Sequence, residues 1–485
     1  MKKYFVMLIA LLAVVSIALP TFAVELKYGG MYRARLQSND NVADGQDDDD
    51  DNQNYIDQRL RMYFTFVSSE NLQVVTKWEA DTRWGDETDG ALRHGGGDIG
   101  ADAVNLEMKN VYIDFAIPTT PVRATIGVQG LELLKGWIIS DDFSAAVATA
   151  KLDPINVKLG YIAAQNEDVT DTNENVDDVF LSLDYAQGPF KASLIGFYQY
   201  GHGTDVSVGE LTYIGNGTNT GSNAAAGAHF TENIVDNNHF FDLGLAFEYK
   251  ESLWSAYINF VKNLGSVDDD NDGDDEDDMD YEGWMVEAGG NLYCGPFTFS
   301  LFGFVTSGDD AIDDDDDDGL DEFDGDDLHH QSGFFRYPGG ASHYWSEIMG
   351  LGTLDAATSG LNDGGGDRVR DNAGYASADS PSNLWTVSAG VAWQALEGTK
   401  LTFNYYYIAT VEDAVSEGTI NGNEVDVDET GKEIGHELDF YIDQKIVDKL
   451  SLRLVGAYLF AGEAYTVHDD DDDAYELGAQ LLWAF

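Results

Sequence analysis

The last eleven residues, YELGAQLLWAF, place apolar or aromatic side chains at every second position. This face comprises Tyr475, Leu477, Ala479, Leu481, Trp483 and Phe485. A period of two predicts a β-strand, because successive side chains of a strand point to opposite faces of the sheet. An aromatic strand face that continues to a terminal Phe is unusual in a soluble protein. The ending therefore favours a sheet that is not part of a soluble protein.

Two N-terminal stretches alternate in the same way, with basic residues on the second face. In LKYGGMYRARLQS an apolar face that begins at Leu26 alternates with a face that carries Arg33 and Arg35. In YIDQRLRMYFTFV the second face carries Arg59 and Arg61. A strand that is apolar on one side and basic on the other suits a wall between lipid and a wet lumen.

Eighteen such segments follow one another along the chain. They begin near Leu26, Tyr55, Leu72, Glu107, Val122, Phe143, Val157, Val179, Phe190, Phe240, Leu253, Gly283, Phe297, Leu384, Lys400, His436, Leu450 and Ala474. Short turns such as PTTP, DPIN and CGP alternate with longer, acidic connections. Lipid offers no hydrogen bonds to the unpaired backbone N–H and C=O groups at an open sheet edge, so the sheet must close. The pattern predicts an all-β fold, a closed antiparallel transmembrane barrel of about 18 strands, with 16 as the alternative. A soluble β-sandwich or β-helix is the competing fold.

Export is indicated by the first 23 residues, MKKYFVMLIALLAVVSIALPTFA, which predict a signal peptide before a barrel of residues 24–485. An uncleaved anchor helix is the alternative. The single cysteine, Cys294, excludes an intramolecular disulfide framework. The formal net charge of −62 repels the negatively charged phosphates of DNA and RNA, so nucleic acid is excluded as a partner.

The terminal strand resembles the C-terminal signal of Gram-negative outer-membrane barrels, and the whole pattern resembles a single-chain porin of 16–18 strands. The residues of the signal would be Tyr475, Leu477, Leu481, Trp483 and Phe485. The resemblance implies passive diffusion of small hydrophilic solutes, an outer-membrane location among lipid and lipopolysaccharide, contact with the barrel assembly machinery, and a homotrimer. It implies no enzymatic step and no required cofactor. A plugged barrel that binds partners at its surface is the alternative function.

Basic residues concentrate on the first five strands, and we expect them to line the pore. They are Arg33, Arg35, Arg59, Arg61, Lys77, Arg83 and Arg123. Nearby carboxylates at Asp57, Glu79 and Asp81 offer a second interpretation, in which the arginines are neutralised by structural ion pairs. An ion-pair ladder in a pore wall can be both structural and selective.

Residues 130–142 are predicted to form an inward constriction loop, by resemblance to the third external loop of porins. Their apolar side chains, among them Trp137 and Ile139, would be costly on an open outer surface. Glu132, Asp141 and Asp142 would then face the arginines across the channel. In the alternative interpretation part of the segment is strand, with Trp137 and Ile139 towards lipid.

The longest connection, residues 309–383, is predicted to be external. Its aromatic second half predicts a partial plug of the mouth, or else a surface for a partner or a carbohydrate.

Aspartate runs in the long connections suggest divalent cations. Two runs match the alternate spacing of a calcium loop at Asp268, Asp270, Asp272, Asp314, Asp316 and Asp318, but neither has the glutamate of position 12. Loose binding of Ca²⁺ or Mg²⁺ is therefore favoured over specific sites.

Overall fold

The computed structural model describes the chain in nineteen pieces, and the fold below refers to these alone. They are residues 24–40, 42, 53–86, 97–100, 104–166, 175–202, 237–268, 279–308, 330–331, 334, 343–350, 352–354, 382–411, 414–416, 419–420, 423–424, 428–430, 432–462 and 473–485. Residues 1–23, the predicted signal peptide, lie outside them. Among the described residues, no helix is both long enough and apolar enough to cross a membrane.

Within the described residues, eighteen strands build one antiparallel barrel. In chain order they are β1 Glu25–Asp40, β2 Gln53–Ser69, β3 Leu72–Arg83, β4 Glu107–Ala116, β5 Val122–Leu133, β6 Ile139–Leu152, β7 Ile155–Asn166, β8 Asn175–Gln187, β9 Phe190–His202, β10 Asn237–Lys250, β11 Trp254–Asp268, β12 Trp284–Cys294, β13 Phe297–Thr306, β14 Leu384–Leu396, β15 Thr399–Thr410, β16 Glu433–Val447, β17 Leu450–Ala461 and β18 Ala474–Ala484. The predicted fold class and the count of eighteen are confirmed. The sandwich and β-helix alternatives are wrong.

The barrel closes because the first strand pairs with the last. β1 and β18 are antiparallel neighbours from Met31 opposite Ala484 to Asp40 opposite Tyr475. The seam continues past the last strand residue, where Gly30 and Phe485 exchange two backbone hydrogen bonds of 3.1 and 3.0 Å. All other barrel strands pair with their neighbours in sequence. Closure leaves no row of unpaired backbone groups at the edge of the sheet.

Short additional strands supplement the eighteen. Met279–Tyr281 pairs with β11 and with His330–Gln331. Two further hairpins lie between β15 and β16, formed by Ala414–Ser416 with Asp428–Thr430 and by Thr419–Ile420 with Asn423–Glu424.

Strand β10 shows how the sequence divides between the two faces of the wall. Between His239 and Tyr249, which both point outward, the other outward positions hold only Phe and Leu. Asp242 and Glu248 point inward. The ten residue steps from His239 to Tyr249 span about 25 Å at a rise of about 3.3 Å per residue and a tilt of about 40°. This distance matches the apolar band of a membrane barrel, which is about 25 Å tall.

Polar-tipped aromatic residues border this band near the long connections. Their hydroxyl groups bond to a neighbouring strand or its end in the pairs Tyr161–Asp177, Tyr198–His239, Tyr405–His436 and Tyr458–Asp473. Aromatic rings also cluster near the short turns, where Phe190 packs on Tyr249 and Trp483 packs on Phe485. Two such girdles are typical of a barrel that meets membrane interfaces at both ends.

The terminal strand presents its aromatic face outward. Leu477, Leu481, Trp483 and Phe485 are all exposed on the outer surface, while Glu476 on the opposite face is buried. This arrangement fits the alternation predicted for β18. The role of Tyr475 and these four residues as an assembly signal stays a prediction.

Closure at the seam requires a glycine at position 30. A Cβ added there would lie 2.3 Å from the Arg61 carbonyl oxygen and 2.6 Å from the Phe485 ring. We predict that Gly30→Ala lowers the free energy of unfolding by about 1–3 kcal/mol, because the backbone oxygen cannot move away.

Heat-dependent mobility in detergent gels measures this loss, with Gly196→Ala as the matched control. A Cβ at Gly196 meets only the Phe241 ring, at an ordinary 3.5 Å. Equal unfolding temperatures for the two variants would contradict the role of the seam.

Candidate functional site: the lumen and its two inward segments

An ion-pair ladder occupies the inner wall of β1, β2 and β3. Three arginines each lie directly opposite a carboxylate of the next strand and contact it, in the pairs Arg35–Asp57, Arg59–Asp81 and Arg61–Glu79. The first two pairs have N–O distances of 2.6 Å. The ladder follows from strand register, because residues that face each other across two strands share one side of the wall.

The Arg35–Asp57 pair is the most deeply buried of the three, with exposed side-chain fractions of 5% and 8%. Arg35 donates from Nε and Nη2 to the Asp57 carboxylate, and Gln37 donates to the same group. A buried charge requires such a partner, since removal of one member leaves the other uncompensated. The pairing that the sequence offered as a structural role is therefore present, and the selective role stays a prediction.

The remaining predicted basic residues are also engaged. Lys77 lies over the Tyr63 ring, and Arg83 lies 4.1 Å from the centroid of the Tyr55 ring. Near the short turns, Arg123 forms an ion pair with Asp114 at 2.5 Å. Arg33 lies opposite Arg59 in the register and has interactions of its own.

The predicted constriction loop, residues 130–142, is shorter than expected. Strand β5 continues to Leu133 and β6 begins at Ile139, so only residues 134–138 connect them. Backbone pairing persists because Glu132 lies opposite Ser140 and Gly130 lies opposite Asp142. Part of the segment is strand, as the alternative interpretation held.

The tip of this hairpin is buried against the opposite side of the lumen. Trp137, Ile138 and Ile139 are fully buried, so the interpretation that places them towards lipid is wrong. Trp137 donates from Nε1 to Glu287 of β12 at 2.9 Å and packs on Phe304 of β13. Residues 134–138, the inward tip, thus reach from β5 and β6 to the wall of β12 and β13.

The acidic residues near the tip have other partners than the arginines of β1 and β2. Asp142 accepts a hydrogen bond from Asn110 at 2.6 Å and lies 3.9 Å from the Lys109 ammonium. Asp141 is exposed and accepts a bond from the Asp142 backbone N–H. Glu132 borders the space below the tip. A transverse field between these carboxylates and the arginines stays a prediction.

A second inward segment comes from the long connection 309–383. Its described residues 343–350 and 352–354 are mostly buried, and the wall of β16 holds them. The Glu437 carboxylate accepts hydrogen bonds from the Ser346 hydroxyl and from the backbone N–H groups of Ile348 and Met349, at 2.9, 2.7 and 3.2 Å. Asp439 accepts a further bond from the Glu347 N–H. We call residues 343–350 and 352–354 the inward strap.

The far end of the inward strap reaches the ladder. The Thr353 carbonyl oxygen accepts a bond from Arg35, and its hydroxyl accepts one from Arg453 of β17 at 3.0 Å. The strap therefore follows the inner wall from Phe304 of β13 to Arg35 of β1. Burial raises the pKa of Glu347, and the nearby Glu437 carboxylate raises it further against its bonds from backbone N–H groups. A raised carboxyl pKa stabilises the folded strap at low pH, and this contribution is lost as pH rises.

The tip and the strap meet at His343. Its ring lies against Trp137, with 4.1 Å between ring centroids, and its Nδ1 is 3.4 Å from the Lys135 carbonyl oxygen. Next to this contact, the Lys135 ammonium lies 3.3 Å from the centroid of the Tyr257 ring. Desolvation lowers the pKa of Lys135, although Glu287 and other carboxylates oppose this shift.

Cavities remain beneath the tip and the strap, and two of them are bordered entirely by described residues. One of about 490 Å³ extends along the wall from β11 to β15, and one of about 220 Å³ extends from β7 to β11. Glu132, Lys135 and Tyr257 border both cavities. The lumen is narrowed by the two segments but is not filled by them.

The predicted cation ligands lie almost entirely beyond the described residues. Asp268 is the last residue of β11. The other five, Asp270, Asp272, Asp314, Asp316 and Asp318, lie outside the described residues. Within the described part of the chain, no group of three or more His, Cys, Asp and Glu side chains is placed to hold a metal ion.

Sequence reasoning missed Glu437, Asp439 and Glu287 as the side chains that hold the inward segments. The sequence did contain a signal for them, because each is an acidic residue at an inward position of an alternating strand. The alternation does not say which distant segment supplies the donors.

Comparison with known proteins shows likeness in fold. No family model matches the sequence, and no curated protein matches it. The chain is similar in structure to Acinetobacter baumannii OccAB3, with a TM-score of 0.52, 9% identity, and coverage of 95% of this chain and 99% of that one. It is also similar to the outer membrane protein OprD from Pseudomonas aeruginosa, with a TM-score of 0.50, 11% identity, and coverage of 96% and 94%. A third similar structure is Pseudomonas aeruginosa OccK1 (OpdK), with a TM-score of 0.50, 10% identity, and coverage of 95% of this chain and 98% of that one. At these identities the likeness establishes the barrel fold.

Glu437 provides the test of how the strap is held. We predict that Glu437→Ala loosens the strap and raises the single-channel conductance, because three hydrogen bonds to a carboxylate are lost. Bonds to charged groups contribute about 1.5–3 kcal/mol each. Recordings in planar bilayers measure the effect.

Glu433→Ala is the matched control, since Glu433 is on the same strand but half exposed and bonded to His436. A Glu437→Ala channel with the conductance and noise of the control would show that these bonds do not hold the strap.

Proposed function

We propose that the chain is a passive outer-membrane channel for small hydrophilic solutes and ions. The observation that carries the proposal is the lumen itself, which is lined by charged and polar side chains, narrowed by two buried segments and still open below them. Barrels of this size leave an aqueous channel when side chains alone line the interior. The mechanism is diffusion through the constriction, with no chemical step and no required cofactor.

The outer surface supports the location. An apolar band about 25 Å tall between two aromatic girdles suits outer-membrane lipid, and one of the solved structures with this fold is an outer membrane protein. We extend the proposal to lipopolysaccharide around the external rim, the barrel assembly machinery as reader of β18, and a homotrimer. Acidic external connections would hold Ca²⁺ or Mg²⁺ loosely, since crowded carboxylates attract counterions.

The second candidate function is a surface-binding or partner-docking barrel with a plugged lumen. The inward strap favours it, because Ile348, Met349 and Leu354 are almost wholly buried inside the barrel.

Conductance separates the two functions. We predict stepwise single-channel currents when the protein is reconstituted into planar bilayers, and larger steps when residues 309–383 are replaced by a short linker. A heat-denatured sample controls for contaminants. Absence of steps from both the intact chain and the shortened variant would overturn the channel and favour the plugged barrel.

The ladder predicts the ion preference of the channel. Replacement of Arg33, Arg35, Arg59 and Arg61 by Gln should shift the reversal potential towards cations, because Asp57, Glu79 and Asp81 are then uncompensated. Bilayers between two salt concentrations measure the shift.

A matched control removes four positive charges near the short turns, through Gln in place of Lys151, Lys250, Lys445 and Lys449. A reversal potential that is equal in the two variants would show that the ladder does not govern permeation.

A further inference from the structure

The larger cavity has a polar floor that comes from strand register. Ser300 of β13, Gly390 of β14 and Asn404 of β15 lie directly opposite one another and form one row across three strands. All three have the inward phase of their strands, and Ser300 and Asn404 border the cavity. A hydroxyl and a carboxamide are thus presented side by side to the lumen.

Glycine at the middle of this row keeps the two groups accessible. A Cβ at Gly390 would lie 2.4 Å from Asn404 Oδ1 and 2.5 Å from Ser300 Oγ. Any larger residue would therefore displace both polar atoms. Neither side chain has a hydrogen-bond partner among the residues that the structure describes, so donors and acceptors face the cavity together.

The next row towards the strap is aromatic. Phe302 of β13, Ser388 of β14 and Tyr406 of β15 are register partners of one another. The Tyr406 hydroxyl donates to the Trp345 carbonyl oxygen at 2.9 Å, which fixes the strap above this row. Tyr344 of the strap borders the same cavity and is 62% exposed. Aromatic rings therefore lie next to the polar row at the border of the cavity.

Charged groups at the cavity are few and largely compensated. Glu287 is 2% exposed and accepts hydrogen bonds from Trp137, Tyr257 and Asn259. Lys135 is held over the Tyr257 ring. The remaining charge, Glu132, is exposed at the border with the smaller cavity. Two carboxylates and one ammonium border the cavity, and Glu287 and Lys135 are already engaged, so neither an anion nor a cation meets a cluster of opposite charges.

We propose that the cavity in front of the Ser300–Gly390–Asn404 row and the adjacent Phe302–Tyr406 row is a binding subsite for neutral, hydroxyl-rich solutes of the sugar class. Aromatic rings cover the apolar C–H faces of a sugar ring, and the hydroxyl and carboxamide bind its rim. The volume of about 490 Å³ lies within the range of small-molecule sites. The subsite rests on the proposed channel function and specifies one solute class for it.

Sucrose-induced interruptions of the single-channel current test the subsite. Sucrose should interrupt the current of the intact protein in a concentration-dependent way. Asn404→Leu and Gly390→Ala should each raise the half-blocking concentration about fivefold, as expected for loss of one hydrogen bond of about 1 kcal/mol. Heat-dependent mobility in detergent gels equal to that of the intact protein shows that both variants fold.

Two matched controls carry the same substitutions elsewhere. Asn156→Leu lies on β7, and Asn156 is not among the residues that border the two cavities. Gly196→Ala lies on the outer face, against Phe241. Both controls should keep the sucrose block of the intact protein.

The failure of the subsite is distinguishable from the failure of the channel. Conducting channels that sucrose does not interrupt, or that sucrose interrupts equally in Asn404→Leu, Gly390→Ala and the controls, would overturn the subsite alone. Stronger block by gluconate or by glycine betaine would overturn the neutral class in favour of an anion or a zwitterion. Absence of any conductance would overturn the proposed function instead.

Discussion

Backbone groups in contact with lipid need partners, and this requirement governs the whole molecule. Hydrocarbon offers no hydrogen bonds, so the sheet must return to its first strand. The pairing of β1 with β18 and the bonds between Gly30 and Phe485 satisfy this need. Once the wall is closed, each strand has one face towards lipid and one towards the lumen. The alternation of β10 is a direct result of this division.

Inside the wall, the charged groups follow a related rule. A charge that is removed from water needs a counter-charge or several donors. Register provides the counter-charges of the ladder, because Arg35, Arg59 and Arg61 lie opposite carboxylates. The inward segments are held by the second means, since Glu437 and Glu287 each accept several hydrogen bonds. The wall and its contents are therefore joined through carboxylates.

The sequence predicts the wall well and the contents of the lumen poorly. Strand number and facing follow from a period of two, which is local, so Arg35 and Phe485 could be assigned to a face before the structure was known. One donor to Glu287 is Trp137, 150 positions away, and one donor to Glu437 is Ile348, 89 positions away. The alternation within a strand is a local pattern, and it does not predict contacts between residues so far apart in the sequence. The same limit explains why the 130–142 segment was expected to be loop, although paired strand occupies most of it.

The two segments that narrow the lumen differ in how they are attached. The inward tip spans only residues 134–138, and Leu134 and Lys135 both adopt left-handed backbone angles, with φ of 52° and 57°. Paired strands fix it on both sides. The inward strap has no such pairing among its described residues and depends on side chains of β13, β15, β16, β17 and β1. The aperture therefore has one side set by main-chain geometry and one set by side-chain chemistry. Substitutions in the wall can therefore alter the second side of the aperture while the barrel keeps one architecture.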